Sequence, residues 1–197
     1  MGSSSRARGE MLASMPVAGR DAQEAAGIWP AYVGADTPLA REIAGQIVDG
    51  EIRGAYVFGG NGTGKTHLAC AVAQRLCAWG WRPLVTSATA MMREVRAGFD
   101  GAGRPVGAFS AARALVVDDV DKLRMTEWEL ETLYGVTDAR AAAGLPTVTT
   151  ANRDPSSLRA QMAATSRAYA DAIYDRLRDG CRRVEMTGRS RRGWADA

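Results

Sequence analysis

Histidine is almost missing from this 197-residue chain, which has His67 and no other. Cysteine is sparse too. Cys70, Cys77 and Cys181 form no CxxC pair, so neither a zinc-ligand spacing nor a disulfide framework is present. Cys70 and Cys77, seven apart in a helical pattern, read as small buried hydrophobes, and nothing in this usage points away from a reducing cytoplasm. Lysine is confined to Lys65 and Lys122 among 25 basic residues. No apolar run reaches the roughly 18 residues that a membrane-spanning helix needs. The opening MGSSSRARGE has basic residues with no apolar stretch behind them, so it reads as leader sequence and not as a secretory signal. Glycine (22) and proline (7) are too few and too aperiodic for a collagen-like or low-complexity chain.

What is present is the balance of a folded domain, with 46% hydrophobic and 24% charged residues in a length that suits one core. The formal net charge of +3 is weak evidence for a nucleic-acid partner, and its distribution matters more. Seven arginines crowd residues 176–192, which also suits a plain arginine-rich helix and edge strand.

Residues 1–27 carry no sustained period and are expected to be a mobile arm, followed by an apolar-aromatic patch from Ile28 to Tyr32. Leu39, Ile43, Ile47 and Val48 then form one helical stripe that starts at Thr37-Pro38, with Thr37 or Asp36 as the cap, and ends at Asp49-Gly50. Short apolar or β-branched runs at 55–58, 83–86, 114–117 and 147–150 predict strands, the first of them buried on both faces. Helices are expected over 65–79, 90–99, 127–143, 155–162 and 168–178, a Gly-Pro loop over 100–108, and a last short strand at 184–186. Strands alternating with helices of this length imply an α/β fold, a mainly parallel sheet flanked by helices.

Gly59-Gly60-Asn61-Gly62-Thr63-Gly64-Lys65-Thr66 satisfies GxxxxGK[ST] after a buried strand and before a helix, which is the context the pattern requires. Its glycines let successive N–H groups turn inward around a phosphate, and the helix N-terminus adds partial positive charge. Lys65 is expected to reach the β- and γ-phosphates and Thr66 to ligate Mg²⁺. The strand at 114–117 runs into Asp118 and Asp119 at its carboxyl end, where ligands of such sheets bind. Asp118 is expected to hold Mg²⁺ through its water shell and Asp119 to position the attacking water. Asn152, just beyond the strand at 147–150, is placed to donate to the γ-phosphate or to the water. The plainer alternatives are an acidic loop that caps the next helix and an ordinary strand-end asparagine.

This order of parts resembles the AAA+ ATPases. More narrowly, GGNGTGKTHLA (59–69), ALVVDDVDKL (114–123), PTVTTANRD (146–154), IYDRLRDG (173–180) and GRSRR (188–192) are similar to the core of bacterial helicase loaders of the DnaC/DnaI type and of the transposition ATPase IstB. The resemblance implies an AAA+ core over 36–192 without a C-terminal helical lid, a flexible arm over 1–35 and a tail over 193–197. It implies that Gly60, Asn61, Gly62, Thr63, Gly64, Lys65 and Thr66 bind ATP or ADP, with His67 beside them as packing or loop support. Thr66 and Asp118 would serve Mg²⁺, and Asp119 and Asn152 would serve hydrolysis, Asn152 as the first sensor. Arg176 resembles the finger that reaches the γ-phosphate of a neighbouring subunit, so self-association through a composite ATP site is implied. Asp119 is one methylene shorter than the Glu that many AAA+ proteins carry there.

As a helicase loader, the chain would have a replicative hexameric helicase and single-stranded DNA as partners, no membrane, and a cytoplasmic location. The rival readings are an IstB-like ATPase assisting a transposase, a nucleotide-gated interaction module with negligible turnover, and a small-molecule kinase, which the THLA continuation and the strand-end Asp pair fit poorly. Arg93 and Arg96 on helix 90–99, with Arg104 after it, form a candidate surface for a strand's phosphates, or else a solvated helix face.

Overall fold

Alternation within buried strands explains the sheet. In β1 (Gly54–Gly59), Ala55 and Val57 point to one side and Tyr56 and Phe58 to the other, and all four are buried. β3 (Ala114–Asp118) repeats this, with Ala114 and Val116 on one side and Leu115 and Val117 on the other. Strands covered on both faces lose the polar alternation of half-exposed ones, hence the continuous apolar runs. Residues 15–188 and residue 190 are described by the computed structural model. With β2 (Pro83–Ser87), β4 (Thr147–Ala151) and β5 (Cys181–Met186) they form one sheet of order β2-β3-β4-β1-β5, every pair parallel. Because β4 sits between β1 and β3, the segments leaving these three strands meet at the carboxyl edge although Gly59 and Ala151, the ends of β1 and β4, are far apart in sequence.

One face is covered by α2 (Pro38–Val48) and α3 (Lys65–Ala78). The other is covered by α4 (Ala88–Gly98), α6 (Glu127–Ala142), α7 (Pro155–Ala163) and α8 (Arg167–Arg178). Starts are set by side chains that satisfy the first free N–H groups. Thr37 accepts from Ala40 N at 3.0 Å, Asp154 from Ser156 N and Ser157 N, and Thr126 with Glu129 closes a capping box.

Three differences from the sequence reading have physical causes. Residues 15–35 are packed against the core, not an unstructured arm. α1 (Arg20–Ala25) lies there, Ala26, Ile28 and Ala35 belong to the same buried cluster as α2 and α3, and Val85 N–H donates to Ala26 O at 2.8 Å. Gln74 Nε2 donates to Tyr32 O at 2.6 Å, and Arg75 Nη1 to Met15 O at 2.7 Å. Backbone carbonyls and the cluster Ile28, Trp29, Tyr32 and Val33 make these contacts, with no repeating helical or strand spacing to read. The expected core boundary at residue 36 is therefore not a packing boundary, while residues 1–14 and the tail at 193–197 lie outside the described residues. Second, the loop at 100–108 gives way to α5 (Val106–Ala111), anchored by the fully buried Phe109 alone, too little for a period. Third, β5 begins three residues earlier than expected, because Arg182 and Arg183 sit on an open edge and look unlike a strand.

Asp36 is not the cap. Its carboxylate takes Arg75 Nε at 2.7 Å and Arg41 Nε at 3.0 Å, fastening α2 to α3. Burial opposes its ionisation, but hydrogen bonds from the two guanidiniums and their charges outweigh that and bring the carboxyl down to about 2.

Candidate active site

β1 delivers the chain to residues 60–64, and α3 starts at Lys65. Gly62 and Gly64 adopt φ of 76° and 102°, the left-handed region where a Cβ is strained, and a Cβ on Gly62 would also strike the Ser190 hydroxyl. The loop is thereby kept narrow enough for its N–H groups to face inward. Lys65 is 6% exposed, and its Nζ donates to Gly60 O and to Asn152 Oδ1, both at 2.8 Å. Thr63 Oγ1 also donates to Gly60 O, at 2.9 Å.

The end of β3 meets this loop. Thr66 Oγ1 donates to Asp118 Oδ2 at 3.1 Å, and Thr150 Oγ1 to Asp118 Oδ1 at 2.6 Å. Thr150 in turn accepts from Asp119 N at 2.9 Å, so one hydroxyl fixes both acids. Asp119 has φ 54°, a rare value for a residue with a Cβ and the kind of local strain that functional sites retain. Burial raises the Asp118 carboxyl and the neighbouring Asp119 charge adds to that, while the bonds from Thr150 and Thr66 and the Lys65 charge oppose it. A divalent cation beside Thr66 and Asp118 would favour the ionised form.

A cavity of about 250 Å³ opens over these groups, lined by Asn61, Gly62, Gly64, Lys65, Thr66 and Asp119, with Asn152, His67 and Tyr32 completing its wall. Every residue expected at the nucleotide from sequence, Arg176 apart, lies at this edge. Tyr32 was missed: its ring meets His67 edge-on with centroids 6.3 Å apart, and only its place in the aromatic patch hinted at it. Thr150 and Asp121 were missed as well. Asp121 accepts from the backbone and the side-chain amide of Asn152, at 3.1 and 3.2 Å.

Thr66 and Asp118 bring a hydroxyl and a carboxylate to one point, which fits Mg²⁺, a cation that takes one or two protein oxygens and completes its shell with water and phosphate. Among the described residues no group of three or more His, Cys, Asp or Glu side chains could hold a metal by itself. The three cysteines are free, and burial pushes the Cys70 thiol up to about 12, so it is no nucleophile.

A family model described as IstB-like ATP binding protein matches residues 38–195. The chain belongs to that family. With it the chain joins the AAA+ ATPases, and family membership implies the ATP binding and hydrolysis typical of them. Among solved structures, DnaI is 21% identical over 88% of this chain and 94% of that one, with a TM-score of 0.67. The DnaC helicase loader is 17% identical over 81% and 100% of the two chains, with a TM-score of 0.64. The AMPPCP-bound DnaA of Aquifex aeolicus is 20% identical over 75% of this chain and 45% of that one, with a TM-score of 0.62. These likenesses establish the fold. A search of curated proteins gives no match.

In this IstB-like chain, Arg176 is not with the other site residues. It lines a small cavity with Ala55, Thr147 and Cys181, at the amino ends of β1, β4 and β5, and donates from Nε to Asp138 Oδ1 at 2.9 Å. The basic surface also differs in part from its sequence outline. Arg93 and Arg96 share a groove of about 270 Å³ with Lys122 and Arg124, and the Arg96 guanidinium lies 4.6 Å over the Trp128 ring. Arg104 does not join them; it pairs with Glu94 at 3.3 Å. Among the described residues no helix is long and apolar enough to cross a membrane.

Proposed function

We propose that this protein is an assembly-dependent ATPase that hydrolyses ATP to ADP and phosphate and acts as a helicase loader. The observation that carries the ATPase reading is the convergence of Lys65, Thr66, Asp119 and Asn152 on one cavity from three strand ends, with Asp118 bonded to Thr66. Gly60 to Thr66 bind the phosphates, and Lys65 places its charge on the β/γ end. Mg²⁺, when bound, supplies charge neutralisation on the phosphates. Thr66 and Asp118 hold it, and Asp119 takes up the attacking water. Arg176 lies apart from its own chain's cavity and pairs with Asp138 there, and in this reading it reaches the γ-phosphate of a neighbouring subunit. That makes turnover conditional on assembly.

For the partner, the solved chain titled the DnaC helicase loader shares this fold along its whole length, and that likeness suggests a replicative hexameric helicase as the client. The groove of Arg93, Arg96, Lys122 and Arg124, which also includes Glu129, supports phosphate tracking along single-stranded DNA. A second reading, an ATPase assisting a transposase, is favoured by the IstB-like family match itself. Pull-down against the replicative helicase with ATP and with ADP separates the two. Nucleotide-dependent capture of the helicase supports the loader, and capture of a transposase in its place supports the second reading. ATP turnover with and without single-stranded DNA tests the rest, since negligible turnover under every condition leaves only a nucleotide-gated interaction module.

A further inference from the structure

The Asn152 side chain stands between two groups of opposite hydrogen-bonding character. On one side is the Lys65 ammonium, a donor with no acceptor capacity, 2.8 Å from Oδ1. On the other is the Asp121 carboxylate, an acceptor, 3.2 Å from Nδ2 and 3.1 Å from the Asn152 backbone N–H. Turning the amide over would set NH₂ against the ammonium and oxygen against the carboxylate, breaking both contacts at once. Each neighbour independently demands the same orientation, so the amide direction is chemically determined. The Asp121 side of the grip uses the backbone as well and does not depend on Lys65. Asp121 is itself held in place by the turn Val120–Lys122 and by Gln161 Nε2, which donates to its carbonyl at 3.2 Å.

We propose that Asp121 is a positioning residue that locks the orientation of the Asn152 amide, with its carbonyl oxygen on the Lys65 side of the nucleotide cavity, so that this oxygen accepts a hydrogen bond from the attacking water. The proposal rests on the hydrolytic reading above and assigns the direction in which its polar sensor works. One of the two amide hydrogens is spent on Asp121, and the oxygen lies on the side of Lys65, which lines the cavity. Asp119 and Asn152 then present two acceptors to one water, which suits a nucleophile that must lose a proton as it attacks.

The chain contains only two asparagines, Asn61 and Asn152, so selective ¹⁵N-asparagine labelling yields two side-chain amide signals. Asn61 is exposed and serves as the internal reference. In the nucleotide-free protein the Asn152 amide protons are expected to exchange with water more slowly than those of Asn61. Asp121→Ala should speed that exchange about tenfold, the loss of one charge-assisted hydrogen bond. Asp121→Asn, which preserves size and lets either end of the amide face it, gives the same test should Asp121→Ala fold poorly. In turnover, Asp121→Ala should lower kcat about tenfold through misplacement of Asn152. It should leave ATP affinity within about twofold and add nothing on top of Asn152→Ala. Asn152 protons that exchange like those of Asn61 with or without Asp121 would overturn the proposal. So would an Asp121→Ala loss undiminished in the Asn152→Ala background. An Asn152→Ala protein with unchanged kcat would overturn the hydrolytic reading itself, a separate outcome.

Discussion

Two of the cations buried among the described residues stand at opposite ends of the sheet. Lys65, at the carboxyl edge, gives its ammonium to the Gly60 carbonyl and the Asn152 amide beside a cavity of about 250 Å³. Arg140, at the amino edge, is 1% exposed and gives its guanidinium to Phe109 O, Ala112 O, Pro146 O and Thr147 Oγ1, at 2.6–2.9 Å, beside a space of about 20 Å³. Burial alone brings its pKa down to about 10, so the charge survives at neutral pH on carbonyl dipoles without a carboxylate. The difference separates a site from a fastening. A buried charge with neutral partners and open volume beside it is held ready for an anion, whereas one whose donors end on the backbone ties segments together. Here it ties α5, the start of β3 and the start of β4 to α6.

Arg140→Ala should therefore have the largest effect on stability. It leaves several buried carbonyls without a donor and should cost about 4 kcal/mol in urea unfolding, with ATP affinity of the folded fraction unchanged. At the other end, Asp119→Asn should leave unfolding nearly as it was, relieving some repulsion with Asp118, while ATP turnover falls about a hundredfold and ATP binding persists. An equal loss of binding and turnover would make Asp119 a metal or structural residue and blur the contrast.

Acidification acts with opposite signs on the Asp36 fastening between α2 and α3 and on the Asp118 site. Asp36 is lowered from 3.8 to about 2, so its contribution to stability is fully present above the ordinary value and is lost as pH falls through about 2. Asp118 is raised, so Mg²⁺-dependent nucleotide binding should weaken at a higher pH than an ordinary aspartate would give, without unfolding. Circular dichroism and nucleotide titration across the same pH series check both.

The smallest effect on the isolated chain is expected from Arg176→Ala, because the guanidinium is half-exposed and its pair with Asp138 is a surface one. Stability and monomer ATP binding should not change, yet assembly-dependent turnover should drop. Mixing with Lys65→Ala protein should restore part of it, each mutant supplying the half that the other lacks. No recovery in confirmed mixed assemblies would remove Arg176 from the composite site.

The sheet and the phosphate loop were legible because their signals are local. Doubly buried strands give unbroken apolar runs, and GGNGTGKT carries its own geometry. Asp118 and Asp119 followed from one strand end. What stayed hidden depends on neighbours distant in sequence. Thr150 reads as one more β-branched strand residue until β3 is set beside β4, and Asp121 reads as helix-turn polarity until Asn152 arrives 31 residues later. The docking of residues 15–35 escaped because its apolar residues, Ile28, Trp29, Tyr32 and Val33, follow no regular spacing and several of its contacts are made by backbone carbonyls. Arg140 looked like any arginine on an amphipathic helix.

The most direct test of the account titrates Mg²⁺·ATP into the wild-type chain and into Lys65→Ala, with urea unfolding measured on the same samples. The account predicts saturable binding by the wild type and an affinity lower by about a hundredfold in the mutant, the loss of charge-assisted contacts to phosphate, at undiminished stability. Equal ATP affinity in the two proteins, or a mutant that loses binding only because it unfolds, would contradict the assignment of Lys65 as the cation held ready for the nucleotide.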